Sequence, residues 1–243
     1  MALLEVERVS KAFGGVRAVS EVSFALGEGE VLGVMGPNGS GKSTLLNLVA
    51  GALGPDEGRI RLDGEDVAGL APHRLCRKGI ARTFQLVRPF MGLSVRDNVL
   101  VGLLYGRRGA PGGKPAADEA DRLLALVGLA GRGGALPSEL TAMDRKRVEL
   151  ARALAAAPRV LLLDEFMAGL TATETESAMA LIRTLRERGL TLVLVEHIVW
   201  ALLDLSQRII VLSAGEKIAD GAPAAVAADP TVVDVYLGSA PGA

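Results

Sequence analysis

With 243 residues the chain can hold one large domain or two small ones, and we expect one domain with a helical insertion. Its 27 basic and 28 acidic residues leave a formal net charge of −1, which excludes a general electrostatic pull toward nucleic acid or anionic lipid; no nucleic-acid partner is expected. The lone cysteine, Cys76, excludes an intrachain disulfide and fits a reducing compartment.

The opening Met-Ala-Leu-Leu-Glu-Val-Glu-Arg carries acidic residues where a signal peptide needs a long apolar run, so export is not expected. Short apolar or β-branched runs then follow at Leu3–Val9, Val19–Leu26 and Glu30–Met35. They are separated by turns at Gly14-Gly15 and Gly27–Gly29, and read as strands. Lys42–Gly51 reads as a helix with Leu45, Leu46, Leu48 and Val49 on its apolar side. Helical patterning returns from Val95 to Leu129, broken at Gly106–Pro115, which is expected to be a flexible loop.

Leu140–Ala157 is a strongly amphipathic helix ended by Pro158, and Val160–Leu163 is a buried strand of the parallel type. Helix Thr173–Arg188, strand Leu190–Val195, helix Ile198–Leu205 and strand Arg208–Leu212 complete the pattern. Although 49% of residues are hydrophobic, the longest apolar stretch, Leu190 to Leu212, is interrupted by Glu196, His197, Asp204, Gln207 and Arg208. A spanning helix needs about 20 nearly uninterrupted apolar residues, so none is expected. Alternating helix and strand predicts an α/β sheet with helices on both faces and ligands at the carboxyl ends of its strands.

Two motifs fall at such ends. Gly36-Pro37-Asn38-Gly39-Ser40-Gly41-Lys42-Ser43-Thr44 lies between a strand and a helix and matches a phosphate-binding loop. Its glycines let backbone N–H groups converge on phosphate oxygens, and the helix start adds its positive dipole end. Lys42 would reach the β- and γ-phosphates and the Ser43 hydroxyl would ligate Mg²⁺. Val160-Leu161-Leu162-Leu163-Asp164-Glu165 then places two carboxylates at a strand end. Asp164 is the Mg²⁺ partner of the loop and Glu165 the general base for an attacking water. Alone, such an acid pair reads as a solvated strand end; beside a complete phosphate loop it reads as chemistry.

In order and wording these motifs resemble ABC transporter ATPases over almost the whole chain. The resemblance implies one domain over residues 1–238 with a RecA-like parallel-sheet core and an N-terminal antiparallel β subdomain. A helical subdomain is expected at about residues 86–158, and the tail 239–243 is expected to fray. ATP and Mg²⁺ are the implied cofactors. Phe13, in Lys11-Ala12-Phe13-Gly14-Gly15, stands where the family stacks an aromatic on adenine. Gln85, in Ala81-Arg82-Thr83-Phe84-Gln85, matches the glutamine that touches Mg²⁺ and water. His197, in Val195-Glu196-His197, matches the histidine that contacts the γ-phosphate.

The wording Gly79–Gln85, Arg88-Pro89-Phe90 and Leu93–Val99, with the C-terminal run Gly215–Pro223 through Tyr236-Leu237-Gly238, is similar to branched-chain amino acid and amide importer ATPases. Lipopolysaccharide-export ATPases rank second, and a soluble ABC ATPase or a non-enzymatic nucleotide-binding regulator behind them. The implied partners are a second ATPase subunit in an ATP-dependent homo- or heterodimer, transmembrane permease subunits and, indirectly, a substrate-binding protein. The implied place is the cytoplasmic face of the cell membrane.

The chain departs from the family where a Leu-Ser-Gly-Gly-Gln-like signature is usual, carrying Leu140-Thr141-Ala142-Met143-Asp144. Thr141 keeps the hydroxyl that would meet the partner's ATP and can cap the helix with Asp144. Met143 replaces a close-approach glycine, and Asp144 adds negative charge beside a phosphate. This segment is therefore expected to form a weakened site on the partner. Phe166 stands where proline is common, and Thr171 replaces an Asp at a position that crosses the dimer interface in the family.

Overall fold

The computed structural model describes residues 2–83, 89–109 and 113–237. They fall into two compact units, one drawn from Met1–Pro72 and Ile182–Ala243 and the other being His73–Leu181.

The first unit begins with β1 (Ala2–Phe13) and β2 (Val16–Gly27), antiparallel with Val6 opposite Phe24 and Leu4 opposite Leu26. Both run past their apolar cores, because cross-strand hydrogen bonding carries polar flanking residues into the ladder. After β3 (Val31–Met35), with all five residues buried, come α1 (Lys42–Val49), β4 (Glu57–Leu62) and β5 (Glu65–Asp66). Strands β1, β2, β4 and β5 make one antiparallel sheet in the order β2-β1-β4-β5. The sequence reading missed β4 because only Ile60 and Leu62 of its six residues are buried, too few for an alternation signal.

The second unit holds α2 (Pro72–Lys78) from His73 on, β6 (Ile80–Arg82), α3 (Val95–Tyr105), α4 (Lys114–Leu126), α5 (Ala142–Ala155), β7 (Val160–Asp164) and α6 (Ala172–Glu187) as far as Leu181. β6 pairs with β7 in parallel. Helices α3, α4 and α5 pack together, and α3 meets α5 at Gly102, where a Cβ would collide with the Arg152 carbonyl. The expected loop Gly106–Pro115 ends earlier than its composition suggests. Lys114 and Pro115 form the first turn of α4, where a missing N–H costs nothing and proline's fixed φ suits the helix.

The chain re-enters the first unit with β8 (Thr191–Val195), α7 (Val199–Leu205), β9 (Arg208–Ser213), β10 (Glu216–Gly221), α8 (Pro223–Ala227) and α9 (Pro230–Leu237). There β3 lies between β8 and β9, parallel to both, and β10 closes the edge antiparallel to β9. The core strands β3, β8 and β9 are apolar throughout their centres, as strands covered on both faces must be. No helix of the described residues is long and apolar enough to cross a membrane.

Candidate active site

The expected phosphate loop follows β3 directly. Gly36, Gly39 and Gly41 have φ of 151°, 78° and 104°, a region L side chains rarely adopt. Gly36 and Gly41 are doubly constrained: a Cβ on the first would strike the Leu212 carbonyl and the Ser40 hydroxyl, and on the second the Ala18 carbonyl. Gly39 faces open space and is needed for its dihedral alone. Gly41 is the N-cap of α1 and, having no side chain, makes no side-chain cap, so the helix presents N–H groups of its first turn to an anion.

Lys42 is only 5% exposed and folds back over the loop, its Nζ donating to the carbonyls of Gly36 at 2.7 Å and Pro37 at 2.9 Å. Ser40 N–H closes a turn onto Pro37, while its buried hydroxyl has no hydrogen-bond partner among the described residues. Asn38 and Ser43 are exposed and Thr44 is half-buried. Phe13, at the end of β1, is 47% exposed with the Lys11 ammonium 5.9 Å from its ring centre. Asp56 holds this strand end, accepting from Lys11 Nζ at 2.6 Å and Ala12 N–H at 2.8 Å. The Lys11 hydrogen bond first, and that of Ala12 second, hold the Asp56 carboxyl below the usual carboxylate range.

His197 is exposed between β8 and α7. Because β3 pairs with β8 through Val34 and Val195, His197 leaves the sheet at the edge where the phosphate loop begins. The first unit thus brings together the loop and His197.

In the second unit, Asp164 ends β7 at 4% exposure. Its Oδ2 accepts from the Arg82 guanidinium at 2.6 Å, and its Oδ1 is buried without a hydrogen-bond partner among the described residues. An orphaned buried carboxylate oxygen is costly to leave unmet and suits a hard cation. No group of three or more His, Cys, Asp or Glu placed to hold a metal ion occurs among the described residues. A cation there would therefore take the rest of its oxygens from a hydroxyl, water or phosphate, as Mg²⁺ does. Glu165 is buried with φ of 50°, a left-handed backbone costing a non-glycine residue about 1–2 kcal/mol.

Lys146, which the sequence reading passed over, ties α5 to the segment after Glu165. Its Nζ donates to the carbonyls of Phe166 at 2.8 Å and Ala168 at 2.6 Å. Phe166 is itself buried, so the aromatic in the usual proline position is a core residue. Thr171 heads α6 in a reciprocal cap: its hydroxyl accepts from Glu174 N–H at 3.3 Å and the Glu174 carboxylate accepts from Thr171 N–H at 2.9 Å. Thr141 caps α5, accepting from Asp144 N–H at 3.1 Å. Met143 turns inward at 3% exposure, and Asp144 lies 3.4 Å from Arg147. The departure from a glycine-rich signature thus presents a partly balanced charge rather than a protruding Met143 side chain. Gln85 lies outside the described residues.

A family model described as ABC transporter matches residues 19–168, and one described as Branched-chain amino acid ATP-binding cassette transporter matches residues 216–241. The chain is 37% identical to the high-affinity branched-chain amino acid transport ATP-binding protein BraF of Pseudomonas aeruginosa, covering 98% of both chains. It is 35% identical, over 98% of both chains, to the lipopolysaccharide export system ATP-binding protein LptB of Haemophilus influenzae. Among solved structures it resembles the ADP conformation of MJ1267, an ATP-binding cassette of an ABC transporter. The TM-score is 0.89 at 30% identity, over 98% of this chain and 100% of that one. The dimeric post-hydrolysis cassette MJ0796 bound to ADP and Pi matches at TM-score 0.81 and 30% identity, over 90% of this chain and 98% of that one. Matched by the ABC transporter model from residue 19 to 168, a stretch that holds both the phosphate loop and Glu165, and 37% identical to BraF over 98% of both chains, the chain belongs to the ABC transporter family and is its ATP-binding, ATP-hydrolysing component.

Proposed function

We propose that this chain powers the import of branched-chain amino acids or related amides through a membrane transporter, docked as a peripheral subunit on the cytoplasmic face. The observation that carries the reading is the phosphate loop, with its left-handed glycines, uncapped α1 and buried Lys42. The 216–241 match and the likeness to BraF supply the cargo class.

ATP phosphates are taken by the loop from Gly36 to Thr44, with Lys42 leaving its two carbonyls for the β- and γ-phosphates. Phe13 stacks on adenine and His197 meets the γ-phosphate. Glu165, held in its strained turn, removes the proton from the attacking water, and Gln85 orients that water. Mg²⁺ held by Ser43, Asp164 and Gln85 would neutralise charge developing on the phosphates. Thr141 presents its hydroxyl to ATP held by a second ATPase subunit. Phe90, Met91 and Leu93 are exposed apolar residues beyond Gln85 and form the face that meets the permease. A substrate-binding protein delivers cargo on the other side of the membrane. We read residues 1–238 as one domain with the helical subdomain within His73–Leu181.

The altered signature makes an asymmetric pair, in which this chain's own loop is sound and the site it completes on its partner is weak. With Met143 turned inward, the Asp144 charge carries that asymmetry. Purification of the chain with its membrane partners tests the function. Turnover that rises with leucine, isoleucine or valine supports it, whereas co-purification with lipopolysaccharide-export components moves the chain to the LptB-like reading.

A further inference from the structure

The phosphate loop is held from the far end of the chain. Tyr236 of α9 accepts a hydrogen bond from the Gly36 N–H through its hydroxyl at 2.7 Å. Further along the loop, the Ser40 carbonyl accepts from Gly215 N–H at 3.1 Å, in the turn between β9 and β10. The C-terminal segment therefore grips the loop at two backbone points, and neither is an N–H group of the first turn of α1.

Gly36 is buried, so its N–H loses a needed acceptor if the Tyr236 hydroxyl is removed. Burial raises the Tyr236 phenol above its usual range, against a smaller opposing effect of the Gly36 N–H. It therefore stays neutral at physiological pH and brings no negative charge toward a phosphate. The same glycine is held on its other side by Lys42, whose Nζ lies on the Gly36 and Pro37 carbonyls. The two grips differ in what a nucleotide does to them. A phosphate draws the Lys42 ammonium away, and the carbonyls are released; the Tyr236 bond is untouched. Removing the Tyr236 hydroxyl therefore leaves Gly36 with the Lys42 grip when no phosphate is bound and with neither side-chain grip when one is, so the loss weighs more on the occupied loop, which is the condition for a residue to affect affinity.

We propose that Tyr236 is a positioning residue for nucleotide binding, holding Gly36 in place once Lys42 has left it for the phosphates. This rests on the reading of Gly36–Thr44 as the nucleotide-phosphate site. The test compares the full chain with Tyr236→Phe and Lys42→Ala, using a fluorescent ADP analogue for affinity, thermal unfolding for stability and ATP turnover of the assembled complex. In Tyr236→Phe the ring remains and only the hydroxyl goes. Its Kd for the analogue should rise about three- to tenfold, with the loss in turnover falling on KM rather than kcat. A Tyr236→Phe chain with lowered Tm but unchanged Kd and KM overturns the proposal, because a purely structural bond costs the empty and occupied loops equally. Lys42→Ala separates the two readings. If it binds the analogue as tightly as the unaltered chain, the phosphate-site reading itself fails; if it binds weakly while Tyr236→Phe binds normally, only the role of Tyr236 fails.

Discussion

The phosphate loop and the turn Phe90–Ser94 are both irregular backbone, and they are held in opposite ways. The loop is shaped by glycines and tied by its own carbonyls, with Lys42 as a charged clasp that a ligand can take over. The turn is organised around the amide of Asn98, a fully buried side chain. Its oxygen accepts from Phe90 N–H at 2.7 Å, and its nitrogen is within hydrogen-bonding reach of the carbonyls of Phe90, Leu93 and Ser94. One region keeps polar groups in reserve for a ligand; the other spends them all on the fold. The exposed Phe90 ring, with the Arg152 guanidinium 5.2 Å from its centre, is presented by that second, rigid kind of turn.

That contrast can be broken by mutation. The largest effect is expected at Glu165: Glu165→Gln should lower turnover of the assembled complex about 10²- to 10⁴-fold while ADP binding persists. Turnover within a few-fold of normal would remove Glu165 as the base. Lys42→Ala should weaken nucleotide binding and cut turnover about 10²- to 10³-fold, together with a fall in Tm from the lost bonds to the Gly36 and Pro37 carbonyls. Asn98→Ala should lower stability by about 3 kcal/mol in denaturant unfolding while leaving ADP affinity of the loop intact. Equal ADP weakening in both variants would erase the distinction between the two regions.

Met143→Gly with Asp144→Gln should raise turnover of the assembled complex a few-fold if the Asp144 charge weakens the partner's site. An unchanged rate removes the asymmetry. The smallest effect concerns Asp56. Its folded-state pKa is depressed, so the tether it makes to Lys11 and Ala12 adds stability above the unfolded value of about 3.9 and loses it as pH falls through the lower folded value. Phe13 ring resonances should shift in that acidic window in the unaltered chain and stay still in Asp56→Asn.

Much of this was legible in the residues. Helix α5 and strand β7 follow from periodicity and an unbroken apolar run, within two residues at each end. The loop was legible because its chemistry is a backbone chemistry that only glycine permits at Gly36 and Gly41. Thr141 as a cap followed from local spacing. By contrast, β4 carries too few apolar residues to be seen, and the C-terminal run, whose wording carries the family resemblance, shows no clear periodicity for the β10, α8 and α9 it forms. Lys146 and Tyr236 gave no local signal at all, since a lysine on a helix face and a tyrosine near a chain end are ordinary until their partners are placed.

The sequence by itself determined the family, the loop, the two carboxylates and the altered signature, because each is a short run whose chemistry is complete within a few neighbouring residues. Only the tertiary structure decided what those runs touch. It set Asp164 against Arg82 with one oxygen left over, turned Met143 inward, used Thr171 as a helix cap, and brought Tyr236 to Gly36 across 200 residues of chain. Contacts of that kind depend on which elements pack together, and side-chain spacing along the chain carries no record of it.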